Sequence, residues 1–217
     1  MTMKFTAKDL LTYLKNVVEV MEENKDYLCE LDRKLGDGDH GVTMSIGWQA
    51  INEKLQDELK DEEDCGRICI TTGRTFLSAV GSSVGPLYAT GFLRGAKVVQ
   101  NKTEVTGEDV KEFWIAFIEG IKERGQAEVG DKTMVDTLQP ALESLKELQS
   151  TEDFVEGFAK VVAAAKTGME STKDLLSKRG RSSRLGERSI GNQDPGATSA
   201  YLILETFHQT ITANQTV

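Results

Sequence analysis

The sequence predicts an all-α fold, on three observations. Apolar residues recur at helical spacing in one segment after another, no stretch alternates with period two for long enough to specify a strand, and only 3 prolines interrupt 217 residues. A hydrophobic fraction of 39% is enough for one domain with a sizeable core, and two would be cramped, so a single domain over residues 1–217 is expected.

The elements follow in order. Thr6 and Asp9 have capping-box spacing, and Leu10, Leu11, Leu14, Val17, Val18 and Met21 carry a first helix to about Asn24. Met44, Trp48, Ile51 and Leu55 mark a second, and Ile68, Thr72, Phe76 and Val80 a third ending at Gly81. Pro86 suits the first turn of a fourth, running through Leu87, Leu93 and Val98. Thr106 and Asp109 cap a fifth, which has the cleanest apolar stripe: Val110, Phe113, Trp114, Phe117, Ile118 and Ile121. A sixth spans about Met134 to Gln149 despite Pro140. A seventh starts at Thr151 and carries Phe154, Val155, Phe158, Val161, Val162 and Ala165, and an eighth covers about Ala197 to Thr212.

Charge and cysteine usage narrow the class. With 35 acidic against 26 basic residues, the net charge of −9 argues against nucleic acid or an anionic membrane as partner. Cys29, Cys65 and Cys69 match no zinc spacing and read as buried reduced thiols. The first residues lack the apolar run of a signal peptide, and no stretch approaches membrane-spanning length, so a cytoplasmic protein is expected.

Function should reside in four polar, glycine-bearing loops between helices. The first, residues 31–41, packs Asp32, Asp37 and Asp39 among glycines. Carboxylates this close repel one another unless a hard cation neutralises them, and Mg²⁺ with a phosphate is the usual partner. An EF-hand fails on spacing, since position 48 is Trp where a loop from Asp37 needs Glu. An aspartyl-phosphate enzyme fails because Glu30, Asp32, Arg33 and Lys34 stand where a buried strand is needed. The remaining rival is a solvated acidic turn that caps the next helix. The second loop, Gly81 to Pro86, is either a phosphate cradle at a helix N-terminus or a simple glycine-serine turn, and it lacks the lysine of a P-loop. The third, Gly130 to Met134 with Gly125 upstream, also reads as a polar turn ending in an N-cap threonine. The fourth, residues 179–196, concentrates four arginines before a helix start, as a phosphate clamp or as a mobile loop that meets a partner.

Taken together, these loops resemble the DhaL-type nucleotide-binding subunits of dihydroxyacetone kinases over nearly the whole chain. The motifs that carry the resemblance are Leu-Asp-Arg-x-x-Gly-Asp-x-Asp-His-Gly at 31–41, Gly-Asp-Lys-Thr-Met at 130–134 and Leu-Gly-Glu-Arg-Ser-Ile-Gly-x-Gln-Asp-Pro-Gly-Ala-Thr-Ser at 185–199. Three positions depart from the family pattern: Gly38 replaces a common Ala, and Ser82 and Val84 replace Gly and Ser.

The resemblance implies an antiparallel eight-helix barrel whose loops at one end hold ADP, or ATP when phosphorylated, with two Mg²⁺ ions. Asp32, Asp37 and Asp39 are then the metal ligands. His40, Gly41, Val42, Thr43, Ser83, Val84, Gly125, Met134, Arg181, Asp194, Pro195 and Gly196 contact the nucleotide. No residue need act as a nucleophile, because phosphoryl transfer asks the protein for positioning and charge neutralisation. His40 reads as a nucleotide contact and His208 as structural. The resemblance further implies a separate dihydroxyacetone-binding kinase subunit and a phosphohistidine donor of the phosphotransferase system that rephosphorylates ADP in place. Two alternatives stand: a subunit of an ATP-dependent ketose kinase, and a nucleotide-loaded module that signals phosphorylation state to a transcription regulator.

Overall fold

A computed structural model describes residues 3–149 and 153–215. Nine α-helices and a short two-stranded ribbon make up this part: β1 (Lys4–Thr6), α1 (Ala7–Glu23), α2 (Lys25–Arg33), α3 (His40–Gln56), α4 (Cys65–Ala79), α5 (Val84–Val98), β2 (Glu104–Thr106), α6 (Gly107–Gly125), α7 (Met134–Glu147), α8 (Phe154–Ser171) and α9 (Pro195–Gln215). The fold is all-α, as the periodicity predicts.

Eight of the helices close a ring. Packing runs α1–α3–α4–α5–α6–α7–α8–α9 and returns from α9 to α1. Each helix turns its apolar stripe inward, so the ring encloses one continuous core. Buried aromatics fill it: Phe207 meets Tyr13, Trp114 and Phe158 at ring-centroid distances of 5.2, 5.4 and 4.9 Å. Phe158 also stacks on His208, consistent with a structural role for that residue. All three cysteines are buried and free.

Neighbours in the ring alternate in direction. The first turns of α3, α5, α7 and α9 line one cleft together with residues just beyond the ends of α4 and α6. At the opposite end Asn214 of α9 donates to Asp9 of α1 at 3.0 Å, and Asp64 before α4 accepts from the Asn101 amide, beyond α5, at 3.0 Å. This geometry collects four helix N-termini on the cleft.

Three expectations need correction. The ninth helix, α2, lies outside the ring against α3 and α9, in a stretch where the sequence pattern predicts no helix and whose last residues fall in the loop expected over 31–41. It is short and charge-rich, yet Leu28, Leu31 and Leu35 are buried at helical spacing. The ribbon pairs Phe5 with Val105 in antiparallel register, and three residues per strand are too few for alternation to register. The sixth predicted helix stops at Glu147 rather than near Gln149. The expected start of the next helix at Thr151 lies outside the described residues. The cap of α8 is Asp153, which accepts from the amides of Val155 and Glu156 at 2.9 and 3.1 Å.

Both long capping boxes form as expected, at Thr6–Asp9 and Thr106–Asp109. Pro140 sits inside α7 and leaves the Asp136 carbonyl without its helical donor. Gly168 of α8 approaches that carbonyl so closely that a β-carbon there would lie 2.0 Å from it. The pair explains how α7 and α8 pack at short range around a helix-interior proline.

Candidate functional site

At the end where the four N-termini meet lies a cleft of about 880 Å³, large enough for a nucleotide-sized ligand. Asp32 comes from the last turn of α2, and Asp37 and Asp39 from the turn leading into α3. Each offers one carboxylate oxygen, and the three oxygens lie within 4.8 Å of one another.

The acidic turn does cap the next helix, but through one member only. Asp32 accepts from the amides of Asp39 and His40 at 2.8 and 3.1 Å. Asp39, at the N-cap position of α3, makes no side-chain cap, so its carboxylate stays available, and Asp37 pairs with the Arg181 guanidinium. Capping accounts for Asp32 and an exposed ion pair for Asp37, while no capping bond claims Asp39. Three hard oxygens with this spacing suit Mg²⁺. His40 is buried beside them, its Nε2 2.9 Å from Ser199 Oγ, and burial pulls its pKa down to about 4, against the opposing pull of Asp32. The neutral ring is thereby fixed as part of the wall.

Opposite the carboxylates, α5 begins at Val84 with Ser83 as N-cap and no side-chain cap, so its leading amides are not claimed by a capping side chain. Small residues before it keep the approach open. With α3, α7 and α9 also presenting their N-termini, the helix dipoles favour an anion here, in a chain whose net charge is strongly negative.

The third loop is more than a polar turn. Gly130 and Lys132 take left-handed conformations, at φ 90° and 63°. Asp136 fastens the turn by accepting from the amides of Gly130 and Thr133 at 2.6 and 2.8 Å, while Thr133 caps α7. Asp131 accepts from the Glu128 amide and from Arg179 Nε at 3.0 Å, and these contacts hold its pKa below the usual carboxylate range. Lys132 is 1% exposed and donates to four backbone carbonyls, those of Thr172, Leu175, Ser189 and Asn192.

The fourth loop folds as a 3₁₀ segment, Arg181–Ser189, kinked at Gly186. Arg179 turns back to Asp131 and to the Gln126 carbonyl, while Arg181 reaches across to Asp37. Asp194 starts α9 by accepting from the Ala197 amide at 2.8 Å. Burial raises its pKa to about 7, with the Ala197 amide and Lys132 opposing the rise.

Of the residues named from sequence, Asp32, Asp37, Asp39, His40, Thr43, Ser83, Val84, Gly125, Met134, Arg181, Asp194, Pro195 and Gly196 all line this cleft. Gly41 and Val42 do not. Gly41 faces the α1–α2 junction, where a β-carbon would fall 1.9 Å from the Lys25 carbonyl, and Val42 lies on the outer face of α3, 42% exposed. Arg179, one of the four arginines of the fourth loop, lines the cleft as well, as do two residues the sequence pattern does not single out: Lys132, inside the Gly-Asp-Lys-Thr-Met motif, and Arg124, for which spacing gives no signal.

Comparison with known proteins identifies the family. The family model described as the DAK2 domain matches residues 34–209. The ADP-binding subunit DhaL of PEP-dependent dihydroxyacetone kinase 2 from Listeria innocua is 37% identical over 191 residues, covering 88% of each chain. The corresponding DhaL subunit from Escherichia coli K12 is 37% identical over 206 residues, covering 94% of this chain and 96% of that one. The crystal structure of the C. freundii dihydroxyacetone kinase in complex with AMP-PNP and Mg²⁺ aligns with a TM-score of 0.70 at 26% identity, over 92% of this chain and 33% of that chain. With a family match across most of its length and such relatives spanning nearly all of it, the chain belongs to the DAK2 domain family.

Proposed function

We propose that this chain is the ADP-carrying subunit of a PEP-dependent dihydroxyacetone kinase, a single cytoplasmic domain over residues 1–217. The observation that carries the reading is the convergence, on one cleft, of four helix N-termini and three clustered carboxylates. One part of the site attracts phosphate and the other attracts its counter-ion, which is what a metal–nucleotide complex requires. Relatives 35–37% identical to this chain, each spanning most of it, are named as ADP-binding subunits of PEP- or PTS-dependent dihydroxyacetone kinases, and this favours the phosphohistidine-donor type over the ATP-dependent alternative.

In this reading Asp32, Asp37 and Asp39 hold two Mg²⁺ ions, which when bound neutralise phosphate charge and fix the oxygens of the transferring group. Amides at the starts of α3, α5 and α9 orient the phosphates. His40, Thr43, Ser83 and Val84 line one wall of the nucleotide site. Gly125, Met134 and Asp194 to Gly196 line the other. Arg181 exchanges its ion pair with Asp37 for a phosphate oxygen. No side chain forms a covalent intermediate, and the protein contributes by positioning and by excluding water. The phosphoryl group arrives from a phosphohistidine protein and leaves for dihydroxyacetone held on a partner kinase subunit.

Reconstitution tests this directly. With the dihydroxyacetone-binding subunit, dihydroxyacetone phosphate should form when a phosphotransferase-system donor and phosphoenolpyruvate are supplied and ADP stays bound. Turnover that needs stoichiometric free ATP and ignores the donor would contradict the proposal.

A further inference from the structure

We propose that Lys132 is a positioning residue: its buried ammonium fills a cage of four backbone carbonyl oxygens and so holds the arginine loop and the start of α9 in register around the cleft. The inference rests on the reading that the cleft takes ADP with Mg²⁺. The four oxygens belong to Thr172 at 2.6 Å, Leu175 at 3.2 Å, Ser189 at 2.8 Å and Asn192 at 2.5 Å. An ammonium has three protons, so four acceptors share them. Carbonyl dipoles aimed at one point repel each other, and a cation at that point removes the repulsion. No carboxylate forms an ion pair with this ammonium among the described residues; Asp194, Asp136 and Asp174 act on it only through their fields. The carbonyls are what hold it.

The topology of the cage explains what it does. Thr172 and Leu175 precede the basic excursion, and Ser189 and Asn192 follow it, so the ammonium pins together the two ends of the segment that carries Arg179 and Arg181. A backbone bond from the Gly191 amide to the Lys173 carbonyl, at 2.6 Å, closes the same base. From the cage a second line runs to the site itself. Thr172, whose carbonyl accepts from Lys132, also accepts from the Asp194 amide through Oγ1 at 3.0 Å, and Asp194 in turn caps α9. Lys132 therefore reaches Arg181 by one route and Asp194 to Gly196 by the other without lining up as a direct phosphate ligand. The left-handed backbone at φ 63° is the conformation in which this side chain enters the cage, and a non-glycine residue adopts it only when its surroundings compensate.

The test uses the full-length protein and two readouts, trypsin cleavage between Lys178 and Arg188 and calorimetric affinity for ADP with excess Mg²⁺. Lys132→Met keeps the stem and removes the charge. It should speed cleavage in the nucleotide-free protein and weaken ADP binding by about ten- to a hundredfold, the usual range for losing an outer partner of a ligand group, with far-UV circular dichroism unchanged. In Lys132→Ala, n-propylammonium, which supplies the missing atoms, should restore both readouts where n-propanol does not. Wild-type resistance and affinity in Lys132→Met, or equal rescue by propanol, would overturn the cage. If Lys132→Met does not fold, Thr172→Val carries the test: it should weaken ADP binding while cleavage stays at the wild-type rate, and unchanged affinity refutes the relay to Asp194. Wild-type protein that binds no ADP overturns the nucleotide reading instead, and the cleavage readout still judges the cage.

Discussion

Alanine at Asp32 and at Asp37 should separate two roles that the carboxylate cluster combines. Asp32 accepts two backbone amides at the start of α3, whereas Asp37 makes only an ion pair with Arg181. Removing a helix-capping carboxylate costs about 0.5–2 kcal/mol, and two charge-assisted bonds put Asp32 near the top of that range, at about 2 kcal/mol. Alanine returns about 0.5 kcal/mol as the better helix former in α2, leaving about 1.5 kcal/mol. For a chain of this size that is a fall in Tm of about 3–6 °C. The Asp37 side chain is 45% exposed and its partner 68%, so losing that pair should change stability by less than about 0.5 kcal/mol. Both variants should weaken ADP binding in excess Mg²⁺ by at least about tenfold, because each loses a metal ligand. Differential scanning calorimetry of the nucleotide-free proteins gives the first comparison and titration calorimetry the second. Equal Tm losses in the two variants would refute the capping argument, and wild-type ADP affinity in either would refute the ligand assignment.

Other consequences can be checked independently. The Asp194 carboxyl, raised by burial to about 7 from an unfolded value of about 3.9, is protonated in the fold across that window. Its contribution to stability is therefore full below about pH 4 and is lost as pH rises towards 7, so Asp194→Asn should flatten the nucleotide-free Tm–pH profile between those limits; superimposable profiles would argue against it. Gly41→Ala pushes a β-carbon to 1.9 Å from the Lys25 carbonyl, so α2 must move and carry Asp32 with it. Urea titration should find a loss of about 3 kcal/mol, and ADP binding should fall as well; a loss below about 1 kcal/mol means the contact relaxes freely. Arg181→Ala should leave Tm within about 1 °C, since its ion pair is exposed, yet weaken ADP binding about tenfold. Retained affinity would remove Arg181 from the phosphate site.

Much of this architecture was legible because long helices repeat their apolar spacing over many turns. The stripe from Val110 to Ile121 and the boxes at Thr6 and Thr106 lie where the pattern puts them. α2 was missed because nine residues give barely two turns of signal, and its charges resemble those of the loop that follows. The site was legible as motifs and not as geometry. The Asp32, Asp37 and Asp39 cluster announced itself by crowding, and residues 194–196 by their place before a helix. Nothing in the run Gly-Asp-Lys-Thr-Met told that Lys132 is buried, since its partners are carbonyls forty to sixty residues away and carry no side-chain signature. Gly41, by contrast, sits inside a motif for a packing reason against Lys25, which a motif alone does not distinguish from contact with a ligand.

The most direct test of the central claim is to purify the chain without added nucleotide, denature it, and measure released nucleotide by chromatography and metal by atomic emission. The account predicts near-stoichiometric ADP and about two Mg²⁺ per chain, both lost in Asp37→Ala. Wild-type protein that releases neither, and that binds neither when ADP and Mg²⁺ are added back, would contradict it.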